Sequence, residues 1–356
     1  MGRKYRCELD IIKGISIIMV IITHYNRGGL LNDRWEYLFS LGARGCQIFF
    51  VISAYLTAKG IKNKFPEGLS FYAYKQWIKS KIIRLWPLYC IALVSQLIVI
   101  GRQGNYRSGE QIINNSNIIA HFLLLHDVFP GWCNSILSIE WYIGVLFLFY
   151  LIAPFLLLNI AEKRKVVLLF CYVFTISAVV SWALSYFVGT DDYVTYTYIN
   201  NFSLLGQAIP LMSGVLYANV EDLLSSVIEK TDAMILLIFL MGIIFLYRDL
   251  PTFMSFALWS MVACLLLIAF NNSKYNRYRI IRLIGRNSYG IYLFHLYMIK
   301  MVLELNRNYD GPIIVKWLGG LAMIVALSLV VSIILETIVK KTILILKTKI
   351  LNRYIM

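Results

Sequence analysis

Apolar residues run along the chain in blocks long enough to cross the roughly 30 Å hydrocarbon core of a bilayer, and basic or turn-forming clusters separate the blocks. The pattern predicts about ten transmembrane helices, at roughly 11–25, 42–58, 83–100, 141–158, 166–187, 202–217, 233–247, 253–270, 288–305 and 314–339. Basic residues gather at alternate ends of these blocks. Lys59, Lys62, Lys64, Lys75, Lys79, Lys81 and Arg84 form one cluster, Lys163, Arg164 and Lys165 a second, and Lys274, Arg277, Arg279, Arg282 and Arg286 a third. The positive-inside bias then places both termini in the cytoplasm and residues 101–140 outside. Within that outer segment the apolar run Ile118–Leu125 is too short to span and suits an interfacial or re-entrant helix. The opening MGRKYR has no small-residue cleavage site behind it, so the first block reads as an uncleaved span. After Lys340 the sequence alternates basic and apolar residues, which predicts a helix on the cytoplasmic surface. The expected fold class is therefore all-α: one polytopic membrane domain over 1–340 and a basic interfacial tail over 341–356.

Composition narrows the class of function. Of the 356 residues 59% are hydrophobic and 15% charged, with a net charge of +15, which excludes a soluble enzyme and a disordered chain. The positive excess sits in membrane-proximal loops, so it fits anionic lipid and not nucleic acid. Six scattered cysteines show neither a disulfide framework nor a metal spacing. His121 and His126 stand five apart, which does not put two ligands on one helical face, so no metal is expected.

Against this apolar background a few polar residues stand out. Lys13 and His24 are eleven residues apart in the first block, close to a whole number of helical turns and about 16 Å of rise. Both share one face, Lys13 at the inner end and His24 at the outer end. That distance resembles the reach of a pantetheine arm, so a cation inside could hold coenzyme A phosphates while the thioester arrives near the imidazole. The plainer alternative is a snorkelling lysine and a histidine that hydrogen-bonds a neighbouring helix. Glu140, with Ser135 and Ser138 just before it, enters the same outer leaflet as His24, either to fix an imidazole tautomer or to cap a helix start. Lys79, Lys81 and Arg84 precede Pro87 and Tyr89 at the cytoplasmic start of the third span. They suit either nucleotide phosphates or topology alone. His295 lies about a third of the way into the ninth span among aromatics, where a packing role is the ordinary reading. Tyr193, Tyr196 and Tyr198 suit sugar stacking or an interfacial belt.

Taken in order, these clusters resemble the membrane acyltransferase type 3 family along nearly the whole chain. Leu9, Asp10, Lys13, Gly14 and His24 match its opening pattern, and GCQIFFVISAYL from Gly45 to Leu56 matches its second span. Arg84, Pro87 and Tyr89 match a basic R-x-x-P-x-Y run, Trp132, Ser138 and Glu140 echo W-S-L-x-x-E with altered spacing, and Gly285, Ser288, Tyr289, Tyr292, Leu293 and His295 match a late signature. Lys13 stands where arginine is commoner, and Ala54 where glycine is usual.

The resemblance implies a bacterial cytoplasmic-membrane O-acyltransferase. Its donor would be acyl-CoA, acetyl-CoA first among them, and its acceptor an extracytoplasmic glycan such as surface polysaccharide, lipopolysaccharide or cell-wall glycan. It implies catalytic roles for His24 and Glu140, donor binding by Lys13, Lys81, Arg84, Tyr89 and His295, and no metal. Acceptor contacts are expected at Arg44, Ser138 and His126, with Arg44 also placed to stabilise charge on the acyl carbonyl. No secreted esterase-like domain is expected after the last span, so the transfer is expected to finish in the membrane domain or with separate glycan-assembly proteins. The rival class is a multi-pass transporter, against which no internal two-fold repeat appears.

Overall fold

The computed structural model describes residues 6–26, 33–103, 112–160, 162–188, 193–247, 249–271 and 275–355. Lys274 of the third basic cluster lies outside them. The elements are α1 (Cys7–Asn26), α2 (Asp33–Ser40), α3 (Gly45–Lys64), α4 (Phe71–Ile100), α5 (Asn115–Phe122), α6 (Trp141–Leu158), α7 (Lys163–Phe187), α8 (Tyr193–Thr197), α9 (Ala208–Val227), α10 (Lys230–Leu246), α11 (Thr252–Ala269), α12 (Arg279–Arg286), α13 (Ser288–Leu305) and α14 (Ile313–Ile355). Among the described residues no strand forms; an isolated bridge joins Gln103 and Ile112.

A helix stands at each of the ten expected positions. Six of the described stretches are by themselves long and apolar enough to span: Trp35–Lys64, Phe71–Ile100, Trp141–Leu158, Lys163–Phe187, Thr252–Ala269 and Ile313–Ile345. Acidic and basic residues dilute α1, α9 and α13, and α10 has only 17 residues. The third helix begins at Phe71, well before the expected position 83. Ser70 caps it, its side chain accepting from the Ala73 N–H at 3.2 Å, so Lys75, Lys79, Lys81 and Arg84 ride on the helix and not in a loop. The last helix continues without a break through position 340 for 43 residues, about 65 Å, twice the hydrocarbon thickness.

Close backbone crossings hold the helices that matter most for function. Gly285 on α12 sits against the Asp10 carbonyl and Gly14 on α1 against the Ile281 carbonyl; a Cβ at either would collide with backbone. The small residues let the two helices approach to backbone contact. Arg286 then reaches Asp10, Nε to Oδ2 at 3.1 Å. At the same end of α1, Arg6 pairs with Glu8 and with Glu221 of α9 at 2.7 Å, and Lys59 of α3 joins Glu221 at 2.8 Å. Within a largely aliphatic core, Phe50, Tyr142 and Tyr292 pack in sequence, with ring centroids 4.6 and 5.3 Å apart.

Candidate active site

Three helices supply the cations at the end of the site expected to face inward. Lys13 on α1, Arg84 on α4 and Arg286 on α12 line one cavity of about 100 Å³, together with Ser53 of α3, Tyr142 and Tyr150 of α6, and Ser288, Tyr289 and Tyr292 at the start of α13. Three cations converge on one small polar space. The Tyr289 hydroxyl donates to the Leu85 carbonyl at 2.7 Å and ties α13 to α4 there. Lys81 stands behind this wall, its ammonium 4.0 Å from the ring centroids of both Trp77 and Tyr150.

Tyr292 is the partition. It lines the inner cavity, and its ring also lies 5.9 Å from that of His295, which in turn lies 5.2 Å from the ring of His24. A chain of ring contacts thus runs from Tyr292, in the wall of the Lys13 cavity, to a pair of imidazoles, neither of which lines that cavity. His295 stands beside His24 and not among the cavity-lining groups, because it sits a turn beyond Tyr292 on α13. Its Nδ1 donates to the Tyr292 carbonyl at 2.7 Å, while Nε2 is buried with no hydrogen-bond partner among the described residues.

Glu140 holds the outer loop in place rather than touching His24. Its carboxylate accepts from the backbone N–H groups of Ile136 at 2.7 Å and of Leu137 and Ile139 at 3.0 Å, and from His121 Nε2 at 3.2 Å. Those four donors match the acceptor capacity of a carboxylate. Burial alone would raise its pKa, but the hydrogen bond and charge of His121, aided by His126 and the Ile136 N–H, outweigh it and hold Glu140 below the usual carboxylate range. The link to the histidines is indirect. The loop presents the Ile139 carbonyl to the Tyr292 hydroxyl at 2.5 Å, and Tyr292 in turn fixes the tautomer of His295.

His121 and His126, expected to point apart, stack at 4.2 Å with 15° between their planes. The expectation assumed one helix through both, but α5 ends at Phe122 and Leu124 turns the chain at φ 60°. His121 Nδ1 also faces an oxygen, the Asn117 carbonyl at 2.9 Å, so both of its nitrogens point at oxygens. His126 is fully buried between His121 and Tyr89, its Nε2 donating to the Glu140 carbonyl, and it lines neither the inner cavity nor the one at Ser138. Tyr89 stacks on it at 6.1 Å and is likewise absent from the inner cavity. Arg44 lies over the Phe256 ring at 4.9 Å and lines a separate cavity of about 230 Å³ with Tyr37 and Tyr247, so it is not brought to the imidazoles. Tyr198 donates to the Asp127 carbonyl at 2.5 Å, a loop tie rather than an open stacking face. Ser138 does reach a cavity. With φ 68° it lines an outer space of about 370 Å³ with Gln96, Gln103, Tyr297 and Lys300.

Residues 8–337 match the acyltransferase domain family described as acyltransferase type 3. The chain belongs to that family. Among curated proteins it is similar to a peptidoglycan O-acetyltransferase of Listeria monocytogenes, 27% identical over 338 residues, which cover 86% of this chain and 52% of the relative. The chain thus spans about half the length of that relative. No solved structure matches it. Within this acyltransferase family chain, sequence reasoning did not single out Arg286, Ser53 or His121 as site residues. Arg286 was legible as a member of the third basic cluster and as the neighbour of Gly285, the residue that brings α12 against α1.

Proposed function

We propose that the protein is a membrane O-acyltransferase that takes an acetyl group from acetyl-CoA on the cytoplasmic side and delivers it to a hydroxyl of an extracytoplasmic glycan in a bacterial cytoplasmic membrane. The observation that supports this reading is the three-cation cavity whose wall residue Tyr292 packs against His295, which in turn packs against His24. The topology that goes with it is ten spans with both termini inside. Lys13, Arg84 and Arg286 hold the donor's phosphates, the arginines through paired N–H groups and Lys13 as a point charge. About 16 Å of helix then separates Lys13 from His24, the ring at which the acyl group changes hands. An imidazole there acts as base or carries the acyl group for a moment. Glu140 is a positioning residue that sets the loop holding Tyr292. The outer cavity at Ser138 receives the acceptor, and the peptidoglycan O-acetyltransferase among its relatives favours a cell-wall glycan.

Thioester consumption by the purified full chain tests the proposal. The unsubstituted protein should release thiol from acetyl-CoA when a glycan is present, and His24→Ala should lower that rate by about 100-fold or more. Unchanged release in His24→Ala would refute the assignment. Mass spectrometry of surface glycans with and without the gene should show a difference of one acetyl group.

A further inference from the structure

Two histidines share the centre of the site, and only one is absorbed by the reading above. His295 is fully buried, and its ring is locked in one tautomer: Nδ1 carries the hydrogen donated to the Tyr292 carbonyl, so Nε2 holds an open lone pair. An unsatisfied buried acceptor is costly and calls for a reason. The position of His295 supplies one. Three residues before it on α13, Tyr292 lines the inner cavity, and four residues after it Ile299 lines the outer cavity. Residues at those spacings share a helix face, so the free nitrogen stands between the space for the donor and the space for the acceptor.

We propose that His295 is a second catalytic residue, the base that takes the acceptor hydroxyl's proton at Nε2, while His24 carries the acyl group. This rests on the acyltransferase reading. In the first step a His24 ring nitrogen forms a bond to the acyl carbon, the C–S bond breaks and its electron pair leaves with sulfur, so a cationic acyl-imidazole is matched by a thiolate. In the second, the acceptor O–H gives its proton to His295, its oxygen bonds the acyl carbon, and the C–N electron pair returns to His24. The thiolate takes a proton from water and leaves as thiol, and the hydroxide so formed takes up the proton held by His295, so there is no net change in charge.

The decisive variant is His295→Asn, whose side-chain N–H stands where Nδ1 stood and keeps the bond to the Tyr292 carbonyl while removing the basic nitrogen. Purified full chain is given acetyl-CoA and chitotetraose. The variant should bind acetyl-CoA within about threefold of the parent and release one equivalent of thiol, while glycan acetylation falls by about 100-fold or more. His295→Ala should regain acetylation when free imidazole is added. Acetylation by His295→Asn within about fivefold of the parent overturns the proposal, because general base catalysis is ordinarily worth about 100-fold or more. Loss of acetyl-CoA affinity equal to the loss of transfer overturns it as well. A parent protein that consumes no thioester refutes the acyltransferase reading itself.

Discussion

Asp127 and His126 are neighbours in the outer segment, and burial neutralises both. Burial pushes the Asp127 carboxyl up to about 9, partly offset by Cys133 and reinforced by Glu140. It pushes the His126 ring down to about 3, with His121 adding to the effect. The consequences for stability have opposite signs. The folded chain keeps a proton on Asp127 that the unfolded chain gives up near pH 4, so this residue's contribution weakens as pH rises from about 4 towards 9. The unfolded chain protonates His126 below about 6.5, so its contribution weakens as pH falls from there towards 3. Asp127→Asn removes the alkaline term alone. Its thermal midpoint in detergent should exceed that of the parent at pH 8.5, with a smaller gap at pH 5. An equal gap at both values would contradict the assignment of a neutral buried acid. Residue types were legible in the sequence here, but partners were not. Glu140 read equally well as a helix cap and as a partner for His24, and its three loop N–H donors and His121 depend on a turn at Leu124 that no periodicity announces.

Helices were easier to read than their ends. Hydrophobic blocks located all ten expected helices, because apolar length is written directly in the sequence. The basic run from Lys75 to Arg84 hid the first three turns of α4, although Ser70 was an available capping signal. That misplaced start matters for function, since the longer helix carries Arg84 into the inner cavity opposite Lys13. The crossing of α1 and α12 is the other element-scale determinant. Gly285 allows Arg286 to approach both Asp10 and the cavity. Gly285→Val should separate the two helices and weaken acetyl-CoA binding by about tenfold, equivalent to about 1.4 kcal/mol. Titration calorimetry on the full chain checks this, and unchanged affinity would show that the crossing does not shape the donor site.

Across the whole molecule the helices set different chemistry in a row, the route proposed for the acyl group: cations at the inner cavity, aromatic rings at the partition and imidazoles beyond it. The spacing of Lys13 and His24 was legible because one helix carries both. Tyr292 as the partition was not, because α13 meets α1 only through the tertiary packing. Such a route has a function only if donor and acceptor meet from opposite sides of the membrane. Proteoliposomes with the full chain in a known orientation, acetyl-CoA on the Lys13 side and chitotetraose on the other, measure this directly. The account predicts acetylated glycan on the far side and none when His24 is replaced by Ala. Acetylation only when both substrates share one side would contradict it.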